Sequence, residues 1–305
     1  MLKTESLQQA NLLRYTTYAS VLIAALLIII KLYAWWQTES IGLLASLIDS
    51  TMDIAASLLN MIAVGHALRP ADSEHRFGHG KAESLAGLGQ SVFIAGSALF
   101  LISQALDRFI NPEPLSNLQT GMGVILISLV LTIGLTVFQR YTIQKTGSSA
   151  IKADELHYKG DIFSNIGILI ALFLADFGFF IADPVIGLLI GVYILYCAWE
   201  IGWGAIQTLM DHELSEEVQL QIESIARNHK QVIGIHDLRT RQSGLVNFVQ
   251  MHVDLDKNMR LEEAHGIAEE VEASIKAILP NTDVIIHQDP VDIDKKASAE
   301  DSQAL

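Results

Sequence analysis

Long apolar runs alternate with short polar connections over the first two-thirds of the chain, and the pattern changes near residue 212. Six of these runs are long enough to cross a hydrocarbon core of about 30 Å, which takes around 20 helical residues. We therefore predict a polytopic α-helical membrane protein with six transmembrane helices. The predicted spans are residues 14–36, 41–67, 83–109, 118–140, 151–175 and 181–209.

After residue 212 the apolar side chains follow shorter periods. Residues 215–229 and 261–278 show helical spacing, whereas 232–242, 245–255 and 283–289 alternate as strands do. The predicted order is α-β-β-α-β, with a hairpin between the first two strands. This order indicates a small α+β sandwich domain that follows the membrane-type segments.

These patterns divide the chain into four parts. Residues 1–13 are a polar N-terminal segment, 14–210 the membrane domain, and 211–291 the soluble domain. Residues 292–305 are polar and poor in aromatic side chains, so we predict a disordered tail there. Within the sixth predicted helix, Gly187 and Gly191 form a GxxxG pattern, which is typical of close helix packing.

Composition and charge narrow the classes of function. Half of the residues are hydrophobic, and the net charge is −14. Residues 212–305 hold 9 Lys and Arg against 18 Asp and Glu, so the polar domain is acidic. An acidic protein suits cations and argues against nucleic acid as a partner. The single cysteine, Cys197, excludes an intrachain disulfide and a cysteine-based zinc site.

The connections between predicted helices sort by charge. Basic residues cluster on one side of the membrane, whereas the opposite connections carry mainly acidic ones. By the positive-inside rule, this asymmetry places both termini in the cytoplasm. The basic residues on the cytoplasmic side are Arg14, Arg69, Arg76, Lys81, Arg140, Lys145 and Lys152.

Two pairs of acidic and imidazole side chains interrupt the apolar pattern: Asp49 with Asp53, and His157 with Asp161. The i,i+4 spacing puts each pair on one helical face. An ionisable residue near the bilayer centre costs roughly 2.5–3.5 kcal/mol, so four of them indicate a functional site. Facing each other, they form a four-ligand cage for Zn²⁺, Cd²⁺, Fe²⁺ or Mn²⁺. The alternative is that the acids bond helix polar groups or pair with Lys31.

The polar stripe continues on these two helices through Ser57, Asn60 and Asn165. Polar side chains at membrane depth face the interior of a bundle or a water-filled cavity. We therefore expect this stripe to line a cavity that contains the four ligands.

A second cluster lies in the connection after the second helix, where Asp72, His75 and His79 fall within eight residues. Three such side chains can converge on one metal ion. The alternative is a polar loop that contains histidine by chance.

A third cluster lies in the predicted sheet. His252 is on the polar face of the second strand, and His287 shares a face with Asp289 on the third. His236 and His265 could join them. The alternative is a solvated acidic face with scattered histidines.

Several of these segments together resemble the cation diffusion facilitators, most closely the bacterial YiiP-type zinc and ferrous-iron efflux transporters. The resemblance extends from about residue 14 to 291. Its motifs are Asp49-Ser-Thr-Met-Asp53, His157-Tyr-Lys-Gly-Asp161, His75 to Glu83, His236-Asp-Leu-Arg-Thr-Arg241 and His287-Gln-Asp-Pro290.

The resemblance implies a homodimeric divalent-cation/proton antiporter of the bacterial inner membrane. It would export Zn²⁺, with Cd²⁺ or Fe²⁺ as further substrates, and would carry a metallochaperone-like cytoplasmic metal-binding domain. The implied sites are a transport site (Asp49, Asp53, His157, Asp161), a loop site (Asp72, His75, His79), a binuclear cytoplasmic site (His236, His252, His265, His287, Asp289) and a dimer interlock (Lys81, Asp211).

Two other classes of function remain open from the residues alone. A membrane metal sensor would bind cations without moving them, although it would not need acids at membrane depth. A membrane metallohydrolase would need a catalytic motif, and His212-Glu213 does not continue as HExxH. We therefore interpret the chain as a transporter rather than an enzyme.

Overall fold

A computed structural model describes residues 2–38, 41–110, 118–176 and 181–292. The chain divides between Leu209 and Met210 into two compact units, which are considered separately. The first unit contains six long helices. They are α1 (Leu2–Thr38), α2 (Ile41–Ala67), α3 (Lys81–Ile110), α4 (Leu118–Thr146), α5 (Ser149–Asp176) and α6 (Ala182–Leu209).

The largest departure from the predicted helices is at the start of α1. This helix begins at Leu2, whereas the apolar pattern places its start at residue 14. Residues 4–13 contain neither Gly nor Pro and include several good helix formers, so they continue the helix although they are polar. α4 also runs six residues past its predicted end, to Thr146, and Gly147 then adopts a φ of +67°. A glycine in this conformation is a common helix terminator.

Four of the six helices contain stretches that are long and apolar enough to span a membrane. These stretches are Leu7–Gln37, Lys81–Ile110, Met122–Thr146 and Pro184–Leu209, in α1, α3, α4 and α6. Within the described residues, α2 and α5 do not meet the same measure. The first half of α5 is rich in charge, since Asp154, Glu155, Lys159 and Asp161 follow one another closely.

α3 and α6 pack closely against each other. A Cβ on Gly191 would lie 2.6 Å from Ile102 Cγ1, and one on Gly187 would lie 3.4 Å from Ala105 Cβ. The prediction of close packing at the GxxxG pattern is therefore confirmed. Large apolar side chains such as Leu22 and Trp199 point outward with about 70% exposure, as expected of a surface that faces lipid.

The second unit has the predicted order α-β-β-α-β. Its elements are α7 (Glu216–Arg227), β1 (Gly234–Ser243), β2 (Val246–Asp256), α8 (Leu261–Ile278) and β3 (Thr282–Val291). β2 is the central strand; it pairs antiparallel with β1 and parallel with β3. The hairpin turn uses Gly244, whose φ is +59°. The predicted tail lies outside the described residues from 293 onward.

The core of this unit lies on one face of the sheet. Val249, Met251, Val253 and Leu255 of β2 are almost fully buried, and they pack with side chains from α7 and α8. Because strand residues alternate between faces, the intervening His252 and Asp254 lie on the opposite face. The two helices thus cover one side of the sheet and leave the histidine-bearing side uncovered by this core.

Candidate metal centres

The first candidate centre lies between α2 and α5. His157 Nε2 is 2.9 Å from Asp53 Oδ1 and 4.0 Å from Asp161 Oδ2. One ligand atom from each of these three residues lies within 4.8 Å of the others, and Asp53 is only 5% exposed. Asp49, the fourth predicted member, has a side chain outside the described part of the structure. The structure thus brings three of the four predicted ligands together.

These three side chains line a cavity of about 370 Å³. Other polar groups on its wall include Lys31 from α1, Gln104 from α3 and Asn165 from α5. Lys31 Nζ donates to Ser50 Oγ at 2.6 Å and to the Ser46 carbonyl at 3.2 Å. A cavity of this size with carboxylates on its wall can admit a hydrated cation.

The predicted polar stripe only partly lines this cavity. Asn165 does so, but Ser57 and Asn60 instead bond to α5. Ser57 Oγ is 2.9 Å from Tyr158 Oη, and Asn60 Nδ2 donates to the Ala150 carbonyl at 3.3 Å. The expectation that all three line the cavity is therefore wrong for these two, because helix packing uses their hydrogen bonds.

The second candidate centre is in the connection between α2 and α3. Asp72 Oδ1 lies 3.3 Å from His75 Nδ1, and Asp72 Oδ2 lies 3.4 Å from His79 Nε2. Asp72 Oδ1 also accepts the His75 N–H at 2.6 Å, and this bond is the main reason why the pKa of Asp72 is lowered. The turn then uses Gly78 with a φ of +79°. The loop thus holds one ionised carboxylate between two imidazoles.

The third candidate centre lies on the open face of the sheet in the second unit. Strand register places His236, His252 and His287 opposite one another on β1, β2 and β3. Neighbouring rings have centroids 5.0 Å and 4.6 Å apart and are tilted against each other by 48° and 49°. Two long-range strand pairings therefore build a row of three imidazoles.

Asp289 lies beside this row and contacts all three imidazoles. Its Oδ2 is 2.7 Å from His252 Nδ1 and 3.4 Å from His236 Nε2, while its Oδ1 is 3.3 Å from His287 Nε2. These contacts, the His252 hydrogen bond first, lower the pKa of Asp289. Because each carboxylate oxygen has its own partners, Asp289 has the arrangement that a bridging ligand requires.

His265 is the predicted member that the structure does not place in this row. It lies on α8, its side chain is 67% exposed, and its Nε2 is 3.4 Å from Glu269. Among the described residues, the cluster of the second unit consists of His236, His252 and Asp289. His287 also contacts this cluster, through Asp289.

The two residues of the predicted interlock belong to different units. Lys81 Nζ donates to the Leu209 carbonyl at 3.1 Å, and Asp211 Oδ1 accepts from Arg241 Nη1 at 3.3 Å. The interlock between Lys81 and Asp211 stays a prediction.

Two buried acids were not singled out from the sequence. Glu83 of α3 accepts the Ser148 hydroxyl and the Ala150 N–H, the latter at 3.3 Å, and so caps the start of α5. Asp154 of α5 is fully buried among neutral donors. For Asp154 the sequence signal is an acid inside a predicted span, three residues before His157.

Known proteins match this chain along most of its length. A family model described as "Cation efflux transmembrane domain" matches residues 17–210, and one described as "Cation efflux protein, cytoplasmic domain" matches 214–291. The cation-efflux pump FieF of Yersinia pestis (strain Pestoides F) is 48% identical over 286 residues, which cover 94% of this chain and 95% of that protein.

The FieF of Yersinia pseudotuberculosis serotype O:3 (strain YPIII) matches with the same identity and coverage. A solved structure described as MamM-CTD is 26% identical; it covers 25% of this chain and 98% of that chain, with a TM-score of 0.24.

Proposed function

Because the chain belongs to the cation diffusion facilitator family of cation efflux transporters, we propose that it exports Zn²⁺ in exchange for protons. Cd²⁺ and Fe²⁺ are the further substrates of this proposal. The family consists of transporters rather than enzymes. The observation that carries the proposal is the convergence of Asp53, His157 and Asp161 on one cavity between helices.

The proposed transport site consists of these three residues and Asp49. Asp49 precedes Asp53 by one helical turn on α2, so both share a face of that helix. Three carboxylates and one imidazole provide four ligands, which suits tetrahedral zinc. Cadmium and ferrous iron accept the same donors, whereas harder ions gain less from the imidazole.

The contact between His157 and Asp53 supports exchange with protons. At 2.9 Å the Nε2 atom is within hydrogen-bond distance of Asp53 Oδ1, so a proton can be held between them. Zinc needs the lone pair of Nε2 and ionised carboxylates, so it must displace that proton when it binds. Protons that arrive from the other side would then displace zinc.

For the membrane arrangement, we propose that all six long helices span the bacterial inner membrane with both termini in the cytoplasm. α2 and α5 would span it as helices whose charged side chains face the cavity rather than lipid. The membrane domain would occupy residues 14–210 and the cytoplasmic domain 211–291. The loop cluster of Asp72, His75 and His79 then lies on the cytoplasmic side.

For the cytoplasmic domain, we propose a regulatory role within a homodimer. Asp289 would bridge two zinc ions that His236, His252 and His287 also bind, with His265 as a further ligand. Binding would stabilise one arrangement of the dimer and so alter transport. If His287→Ala leaves both dimer stability and the metal dependence of transport unchanged, this role is wrong.

The competing proposal is a membrane metal sensor, and flux measurements separate the two. Purified protein in liposomes with a trapped zinc dye should take up zinc, and Asp161→Ala should abolish the uptake. Asp283→Ala, an exposed acid on β3, is the matched control and should transport normally. Zinc binding without uptake by the unmodified protein would favour the sensor.

A further inference from the structure

α5 carries a buried carboxyl beside the candidate ligands that the proposed mechanism does not use. Asp154 is fully buried and accepts hydrogen bonds from Ser20 Oγ at 2.7 Å, Gln139 Nε2 at 2.7 Å and Gln90 Nε2 at 3.1 Å. The three donors lie on α1, α4 and α3, and all are uncharged. One carboxyl therefore joins α5 to three other helices through directed hydrogen bonds.

The two glutamines are oriented around this carboxyl. Among the described residues, Gln90 Oε1 and Gln139 Oε1 are buried without a hydrogen-bond partner, whereas both amide nitrogens donate to Asp154. Leaving a buried acceptor unsatisfied is unfavourable. Both amide groups nevertheless turn their nitrogen toward Asp154, because the carboxylate that lies between them is a strong acceptor.

Tyr158 adds a second anchor one turn further along α5. It is fully buried, its Oη is 2.9 Å from Ser57 Oγ on α2, and it donates to the Ser20 carbonyl at 3.5 Å. Asp154 and Tyr158 have i,i+4 spacing and lie on one face. Together they connect α5 to α1, α2, α3 and α4.

This anchoring face lies directly beside the ligand face. His157 follows Asp154 by three residues, and Asp161 follows Tyr158 by the same spacing. Three residues of an α-helix rotate by about 300°, so the two faces are about 60° apart around the helix. A rotation or a one-residue slide of α5 would therefore break the bonds of Asp154. The same movement would withdraw His157 from its 2.9 Å contact with Asp53.

We propose that Asp154 is a positioning residue of the transport site, which fixes the rotation and height of α5 so that His157 and Asp161 face Asp53. This inference rests on the proposed function of that site. Asp154 itself is not a ligand. It acts through Ser20, Gln90 and Gln139, which hold the ligand-bearing helix against its neighbours.

The test is zinc titration calorimetry on the purified full-length protein in detergent. The background variant leaves the transport site as the site that is measured, because alanine replaces the imidazoles of both other clusters: His75→Ala, His79→Ala, His236→Ala, His252→Ala and His287→Ala. Asp154→Asn in this background should raise the zinc dissociation constant about 10- to 100-fold, the usual effect of losing a residue that orients a ligand. In liposomes the KM for zinc should rise more than the maximal rate falls.

Two further variants separate positioning from the loss of a charge. Ser20→Ala keeps the carboxylate and removes its hydrogen bond from Ser20 Oγ, together with the 3.1 Å contact that Gln139 Nε2 donates to that hydroxyl. The Gln90 and Gln139 bonds to Asp154 remain, so a weaker rise in the dissociation constant is expected. The double variant Asp154→Asn with Gln139→Glu returns a carboxylate–amide contact between α4 and α5 and should recover affinity. Ser103→Ala is the matched control, because this exposed hydroxyl bonds only the Phe100 carbonyl of its own helix in the described contacts.

An unchanged dissociation constant in Asp154→Asn overturns the inference. The inference is also overturned if the dissociation constant rises in Asp154→Asn, stays unchanged in Ser20→Ala and does not recover in the double variant. If Asp154→Asn does not fold, Ser20→Ala alone decides. Asp53→Ala is measured in the same way, and retained zinc binding in this variant would refute the transport site itself. If Asp53→Ala loses binding while Asp154→Asn and Ser20→Ala keep the wild-type affinity, only the positioning role is refuted.

Discussion

The close packing of α6 on α3 predicts that Gly191→Ala destabilises the membrane unit although alanine is the better helix former. A Cβ at this position would lie 2.6 Å from Ile102 Cγ1 and 3.3 Å from the Ala98 carbonyl oxygen. Ile102 is β-branched and stiff at χ1, and Ala98 contributes backbone, so neither neighbour can move easily. The helices would have to separate locally.

The expected magnitude is the difference between two opposing effects. Overpacking of a tight contact typically destabilises by about 1–3 kcal/mol. Replacing glycine by alanine inside a helix stabilises by roughly 0.5–1 kcal/mol. The net loss is therefore between about 0 and 2.5 kcal/mol. A middle value of about 1 kcal/mol corresponds to a fall in melting temperature of roughly 2–4 °C for a unit of this size.

Thermal unfolding in detergent measures this loss, and α6 offers a matched control. Gly204 is on the same helix and has open space around its Cβ direction, so Gly204→Ala should raise the melting temperature slightly. Ile102→Ala combined with Gly191→Ala should recover part of the loss, because it removes the atoms that clash. If Gly191→Ala and Gly204→Ala shift the melting temperature equally, the described contact between α3 and α6 is wrong.

Three further predictions concern the acids outside the transport site. Glu83→Ala removes the cap of α5 and should lower the free energy of unfolding by about 1–2 kcal/mol; an unchanged melting temperature would contradict this. Asp289→Asn should weaken zinc binding by the cytoplasmic domain in calorimetry, and equal affinity would exclude Asp289 as a ligand. The pKa of Asp72 lies below its ordinary value of 3.8, so its loop contacts persist above that value and are lost only as pH falls through the lowered pKa. In the metal-free protein the Asp72 carboxyl should therefore titrate below pH 3.8 in NMR, and a midpoint at or above that value would contradict this.

The existence of the helices and the α-β-β-α-β order of elements follow from periodicity, because apolar faces must be buried or face lipid. The row of His236, His252 and His287 is only half predictable in this way. Alternation assigns each histidine to a face of its strand, but the register that places the three opposite one another depends on long-range pairing.

What could not be predicted depends on polar groups that bond across helices. Ser57 and Asp154 are both polar residues within predicted spans, and periodicity does not tell a cavity wall from a helix contact. Their partners, Tyr158 and Ser20, are respectively 101 and 134 residues away in the sequence. The start of α1 has a similar origin, since hydrophobicity marks a membrane span but not the end of a helix.

The central claim is that metal and protons compete for Asp53, His157 and Asp161. The most direct measurement records zinc uptake and internal pH at once, in liposomes that trap a zinc dye and a pH dye. The unmodified protein should move protons out as zinc enters, and Asp53→Ala should lose both signals together. Zinc uptake without proton movement, or undiminished exchange in Asp53→Ala, would contradict the account.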